Sequence, residues 1–496
     1  MSVGRNTTYN LVGAVLPVIL SLVTVPIYLK LVGPERYGVL AIAWLLLGYF
    51  GYFDLGLGRS TAFRIASLRD ATPAARADTF WAALALNVVM GAVGGLLLWA
   101  AASYFFGHAF KMSQVLRPEI LASVPLLALA VPIATLTGTL TGAMQGREKF
   151  LETNTVSLIS TTLFQILPLG VAFWSGPNIF YLLIAAISAR LAAILVLGYR
   201  CYVEFARGQP RRLNRAEVPP LLKYGGWVNL TSLCGQVLVM FDRFAIGAVL
   251  GAAAVTIYTV PLQLAQRVQI LPGAVTNALF PRLSASKAEA QKDLGDMASR
   301  TLLAIMGLPV LGAIFLIEPF LRLWIGDEIG GQSAQVGRIV LIGYWINSLA
   351  FIGFVRLQTA GRPDLVTKAM LAEMPVYAVL LYLALQHFGF VGCAIVFAAR
   401  CFADYLILNW LVDRTIARRW SLLFSTFLLS LGAWLASLWQ ITDWRWWLSA
   451  AALGLVFLIY GWLTLPDMIK ATALATAPGR LVAKILKFET PTGPRS

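Results

Sequence analysis

Apolar blocks long enough to cross a bilayer recur from one end of this chain to the other, and few folds are open to such a chain. A helix needs about 20 apolar residues to span a hydrocarbon core roughly 30 Å thick. Blocks of that kind cover residues 9–29, 38–58, 79–106, 120–142, 154–174 and 178–199. They continue at 225–249, 255–279, 301–321, 339–358, 366–386 and 389–411, and close at 421–439 and 446–465. In hydrocarbon the backbone must satisfy its own hydrogen bonds, which leaves helices and closed barrels. The blocks lack the ten-residue alternation of a barrel strand. The expectation is an all-α polytopic membrane protein with about 14 transmembrane helices.

Composition supports this reading. Only 12% of the 496 residues are charged, against about 25% in soluble domains, which argues against a large soluble enzyme. The formal charge of +16 would suggest a nucleic-acid partner in a soluble protein. Here the bases lie mostly between apolar blocks, so they read as topology signals and as contacts for anionic membrane lipids. No nucleic-acid partner is expected. With the N-terminus in the cytoplasm, 28 of the 39 Lys and Arg fall in inner connections and the tail, and seven fall outside. That asymmetry favours cytoplasmic N- and C-termini. The first apolar run lacks a small-x-small cleavage site and reads as an uncleaved span.

The arginine-rich connection that ends at Pro219 and Pro220 divides the chain. The expected organisation is a six-helix lobe over 1–204, a cytoplasmic linker over 205–223 and a second six-helix lobe over 224–412. Helices 13 and 14 follow at 420–466, and a cytoplasmic tail at 467–496. The tail carries a short basic amphipathic stretch suited to the inner leaflet. "KLVGPERYGVLAI" after the first span and "AVLGAAAVTIYTV" after the seventh are faintly alike. Duplicated lobes would permit alternating access; chance likeness between apolar segments is the competing account.

No GxxxxGK[ST] motif is present, and no connection exceeds about 25 residues, which leaves no room for a nucleotide-binding domain. Four cysteines without a short-spaced pair and two histidines give no expected disulfide framework, metal site or bound cofactor.

Ionised groups avoid lipid and mark cavities or inter-helix pairs. Arg190 and Arg267 are central in their spans. Each could hold a phosphate or sugar carboxylate through its rigid fork of donors, or could pair with a carboxylate on another helix. Asp242 and Arg243 are adjacent and do not share a helical face, so separate partners are expected. Arg400 and Asp404 are four apart and can face one another, as a structural pair or a transport site. Glu373 is a candidate proton or cation site, or polar glue. Asp54, near the inner end of its span, reads as a gate or structural residue. Gly48, Gly51, Gly56 and Gly58 around it permit close helix approach or a local break. Prolines such as Pro168, Pro261 and Pro272 predict bends, and Trp444, Trp446 and Trp447 predict the head-group level.

"PIYLKLVGPERYGVLAIAWLLLGYFGYFDLGLGRSTAFRIAS" strongly resembles the amino-terminal signature of the polysaccharide biosynthesis protein family. These are Wzx-like oligosaccharide flippases of the multidrug/oligosaccharidyl-lipid/polysaccharide exporter superfamily. The matching residues are Gly33, Glu35, Tyr37-Gly38, Phe53 to Leu57 and Arg64. A weaker match runs through Tyr224-Gly225 and Asp242-Arg243. The resemblance implies two six-helix lobes with two further helices, and transport rather than catalysis. The implied cargo is an undecaprenyl-pyrophosphate-linked glycan for O-antigen, capsule or exopolysaccharide, crossing the bacterial inner membrane. It further implies central cations facing the pyrophosphate, for which Arg190, Arg243 and Arg267 are candidates. A proton or sodium gradient and a partner polymerase or other assembly proteins complete the picture. Two other classes stay open: a cation-coupled multidrug exporter, with Asp54 or Glu373 as coupling carboxylate, and a membrane scaffold of a glycan assembly complex.

Overall fold

Glycine decides where the long apolar runs turn back. In the computed structural model, which describes residues 3–49, 56–209, 235–285, 288–412, 419–467 and 469–471, helix α1 covers Val3–Tyr49 but breaks at Gly33 (φ 78°, ψ 165°). That backbone region is essentially closed to residues with a Cβ. Pro34, with its fixed φ and missing N–H, suits the first position of the arm that follows. Helix α12 covers Pro363–Val412 and breaks in the same way at Gly389 (φ 58°, ψ −146°). Its 50 residues would measure about 75 Å if straight, more than twice a hydrocarbon core. The break makes it two spans. The backbone conformation of Gly33 recurs at Gly176 (φ 86°, ψ −177°) and Gly326 (φ 94°, ψ 160°), each joining consecutive helices.

The remaining helices are α2 (Leu57–Ser67), α3 (Pro73–Tyr104), α4 (Leu116–Gly146), α5 (Phe150–Ser175), α6 (Ile179–Cys201), α7 (235–249) and α8 (Ala252–Gln266). They continue with α9 (Ile270–Ala285), α10 (Ala288–Ile325), α11 (Asp327–Thr359), α13 (Arg419–Leu438) and α14 (Trp444–Thr464). No strand occurs among the described residues. Ten helical stretches are long and apolar enough to cross a membrane, and two of them contain the breaks at Gly33 and Gly389. The protein is an all-α polytopic membrane protein.

Two compact units are present: Met1–Thr259 with Leu381–Phe390, and Val260–Leu380 with Val391–Ser496. In the first, small residues let backbones meet, as membrane helix interfaces require. Gly56 starts α2 in the left-handed region (φ 71°, ψ 19°), and Gly58 then lies directly against Gly142 of α4. A Cβ at Gly91 of α3 would stand 2.8 Å from the Cα of Pro132 on α4, and Asn87 donates to Thr139 across the same interface. The expected local break and close approach are therefore seen at Gly56 and Gly58; Gly51 lies outside the described residues. Glu119 of α4 binds Arg36 at 2.8 Å and accepts from the Ile179 N–H at the start of α6, 3.4 Å away. It ties together α1, α4 and α6.

The second unit is organised on α11, whose Trp345 is fully buried. Helices α13 and α14 lie on α10. A Cβ at Gly461 of α14 would sit 2.9 Å from the Ala304 carbonyl oxygen of α10. Phe315 of α10 meets Trp446 edge-on, with ring centres 5.3 Å apart. Trp444 and Trp447 are exposed, as head-group residues would be, but Trp446 is buried. The periodicity of α14 turns that one ring inward to α10. Cys201, Cys393 and Cys401 are buried and form no disulfide; Cys234 lies outside the described residues.

Replacing Gly142 by Val forces α2 from α4 and should lower the thermal midpoint in detergent, by an amount equivalent to about 1–3 kcal/mol. Gly198→Ala, where a Cβ meets open space, should leave the midpoint unchanged in the same measurement.

Candidate functional site

Four arginines lie within the apolar blocks of the sequence, and the helices treat them differently. Arg400 and Asp404 share one face of α12, four residues apart, with Nη1 and Oδ2 3.5 Å apart. The turn at Gly389 brings a second carboxylate to them. Glu373 precedes Gly389 by 16 residues and Asp404 follows it by 15, so the two come level on neighbouring arms. Asp404 and Arg400 are the charged neighbours of Glu373. Glu373 and Asp404 are only 9% and 8% exposed. Neither oxygen of Glu373 accepts a bond from a donor among the described residues. The Arg400 guanidinium also lies 5.3 Å from the centre of the Tyr377 ring. With both acids ionised the cluster carries one net negative charge, so one proton or alkali cation would balance it.

Asp242 and Arg243 do not take wholly separate partners. Both are buried, and Nη1 of Arg243 lies 3.3 Å from Oδ1 of Asp242. The guanidinium folds back along its own helix, where it also donates to the Val239 carbonyl. A long flexible stem defeats the face rule, which describes where side chains leave the helix and not where they end. Tyr258 of α8 donates to the other oxygen of Asp242 at 2.8 Å. This conformation presents a neutral pair.

Arg190 differs. It lies on α6 with its guanidinium 4.7 Å from the centre of the Phe164 ring on α5. No carboxylate pairs with it among the described residues. A cation over an aromatic face gains electrostatic energy yet keeps its donors for another acceptor. Arg267 sits on a 3-10 turn, Arg267–Gln269, between α8 and α9. Pro272 cannot bond the Val268 carbonyl, and the backbone tightens there. Gln269 anchors the turn, donating to the Tyr344 carbonyl of α11 at 2.9 Å. Arg267 is exposed and has no ion-pair partner among the described residues. Arg190 and Arg243 thus belong to the first unit and Arg267 to the second. Asp54 lies outside the described residues.

One ionic centre escapes a reading of the sequence. Arg338 falls between apolar blocks and looks like an outer-loop base, but its side chain is 5% exposed. It binds Glu318 of α10 at 2.5 Å and the Ala436 carbonyl of α13 at 2.7 Å. Glu318 also holds Arg322 at 2.8 Å. The i, i+4 spacing of Glu318 and Arg322 is visible in the sequence; the helix packing that delivers Arg338 is not.

Residues 3–287 match the family described as "Polysaccharide biosynthesis protein". The chain is 29% identical over 427 residues to the "Putative O-antigen transporter" of Shigella flexneri, covering 84% of this chain and 98% of that protein. Among solved structures it is similar to the lipid II flippase MurJ in an inward closed conformation, with TM-score 0.70 and 15% identity over 93% of this chain and 100% of that one. It is also similar to an inward-facing multidrug resistance transporter of the MATE family, with TM-score 0.65 and 14% identity over 85% and 98% of the two chains. At such identities the likeness is one of fold. The family match extends over more than half of the sequence, and the chain belongs to the polysaccharide biosynthesis protein family.

Arg400→Ala leaves two buried carboxylates without their cation and should cost about 3–5 kcal/mol of stability, read as a lowered thermal midpoint. Adding Asp404→Asn should recover part of that loss, with a coupling of about 1–3 kcal/mol in the double-mutant cycle.

Proposed function

We propose that this member of the polysaccharide biosynthesis protein family translocates a polyprenyl-pyrophosphate-linked oligosaccharide across the bacterial inner membrane by alternating access. The glycan would be a repeat unit for O-antigen, capsule or exopolysaccharide. Family membership, the description of the Shigella flexneri relative and the flippase-like fold support this reading. The observation that carries it is Arg190, a standing cation inside a span that packs on a ring instead of a carboxylate. Such a group is costly among apolar helices. Phosphate oxygens would satisfy its fork of donors in a way that no described neighbour does. Arg267, exposed on its turn in the second unit, is a further candidate phosphate contact.

The lobes of this mechanism are 1–204 and 224–412, joined by 205–223, with helices over 420–466 and a tail over 467–496. The distribution of Lys and Arg supports cytoplasmic termini. The Glu373–Arg400–Asp404 cluster supplies the link to a proton or sodium gradient, because one exchangeable cation neutralises it. That cluster also favours a second reading, cation-coupled export of an organic cation.

Flipping of a lipid-linked oligosaccharide in proteoliposomes separates the two. Arg190→Ala and Arg267→Ala should slow flipping about ten- to a hundredfold, in line with the loss of a charged hydrogen bond. Glu373→Gln should remove the response to an imposed gradient. Wild-type protein that moves a cationic dye but no glycan under either gradient establishes the exporter reading instead.

A further inference from the structure

Helix α11 leaves one narrow face open. Of its apolar stretch 78% is buried, the largest share among the ten spanning stretches. Between residues 341 and 355 only Asn347, Phe351 and Phe354 are not buried. Positions four and seven apart share one side of a helix, so the three form a stripe. It begins where α12 stops covering α11: a Cβ at Gly343, one turn before Asn347, would stand 2.8 Å from the Phe397 ring. The first member of the stripe is polar and stands near the middle of the apolar block 339–358. The two rings that follow stack, with centres 5.5 Å apart and 28° between their planes, and Phe351 is 39% exposed.

A second amide meets the stripe at its polar end. From the 3-10 turn, Nε2 of Gln269 donates to the Tyr344 carbonyl at 2.9 Å and to Oδ1 of Asn347 at 3.3 Å. A main-chain carbonyl only accepts, so it fixes which end of the Gln269 amide faces α11. That amide in turn takes the oxygen of Asn347 and fixes the second side chain. An acceptor, Oε1 of Gln269, and a donor, Nδ2 of Asn347, are left over, and neither bonds a described residue. Neither residue is fully buried. A Cβ at Gly273, one turn beyond Gln269, would meet open space. Unmet amide atoms at this depth are costly against lipid and mark a watery passage.

We infer that the Gln269–Asn347 amide pair and the Phe351 ring form a subsite for a sugar ring of the cargo. A hydroxyl both donates and accepts, so neighbouring hydroxyls of a pyranose match an uncharged acceptor and donor set side by side. The C–H face of the sugar then lies on Phe351, one turn along the stripe. A phosphate only accepts and would leave Oε1 of Gln269 unpaired; an organic cation would leave Nδ2 of Asn347 unpaired. The inference rests on the reading of the cargo as a lipid-linked glycan and adds the residues that read its sugar.

The test measures binding to full-length protein in nanodiscs of polyprenyl pyrophosphate, either sugar-free or carrying N-acetylglucosamine, N-acetylgalactosamine, galactose or glucose. At least one sugar should tighten binding to the wild-type protein about tenfold or more. Asn347→Leu keeps the bond from Gln269 to the Tyr344 carbonyl and should cut that gain about three- to tenfold. Its sugar-free binding, elution profile and thermal midpoint should be unchanged. Phe351→Ala should also reduce the gain, and Phe351→Trp should keep it. A role in packing alone would not confine these effects to the sugar-bearing ligand. No gain from any of the sugars in the wild-type protein, which needs no variant to fold, overturns the inference. So does a gain that survives in folded Asn347→Leu, or equal weakening of the sugar-free and sugar-bearing ligands. A gain that is lost in Asn347→Leu, in a protein whose wild type flips no glycan, overturns the proposed function and keeps the subsite. Flipping with a gain indifferent to Asn347 and Phe351 does the reverse.

Discussion

Hydrocarbon offers no hydrogen-bond partner, and the rest of this structure follows from that. The backbone closes its bonds within helices, and buried hydroxyls turn back on carbonyls of their own helix, as Ser123 does to Glu119 and Ser348 to Tyr344. Ions obey the same constraint. Arg338 is bound by Glu318 and a main-chain carbonyl, Arg243 by Asp242 and another carbonyl, and Arg400 by Asp404. Against that background the aromatic contact of Arg190 and the unmet oxygens of Glu373 stand out. They are a cation and an anion that the described protein does not finish solvating, and they lie in different units.

Much of the fold was legible because hydropathy and glycine are local signals. Among the described residues the apolar blocks correspond to helices, and the Arg400–Asp404 pair follows from helical spacing. Gly56 and Gly58 lie in the opening signature as a break and a close contact. What escaped depends on helices meeting. Arg338 falls one residue outside an apolar block, yet packing of α10, α11 and α13 buries it. Trp446 carries a residue type suited to the membrane surface, and only the face that α14 turns to α10 decides otherwise. Arg243 escaped for a different reason: its stem is long enough to choose a partner its helical position would not allow.

Under the proposed function these unsatisfied groups would share a purpose. A flippase must hold a multiply charged head group long enough to move it and then release it. A cation resting on a ring can do this better than one already locked to a carboxylate, since no existing ion pair has to be broken first. In the same proposal, a carboxylate pair around one guanidinium is the complementary device, exchanging a single cation.

The turn at Gly389 also fixes a measure. Glu373 and Asp404 meet because nearly equal lengths of helix lead away from the turn on either side. One residue inserted into either arm would swing every side chain beyond it by about 100° around the axis and carry Glu373 off the face that Arg400 occupies. Within α12, then, many substitutions can be absorbed where a single insertion or deletion cannot. The interval from Glu373 to Asp404 should hold its length more strictly than its composition, and variation in loop size should be confined to the connections outside it.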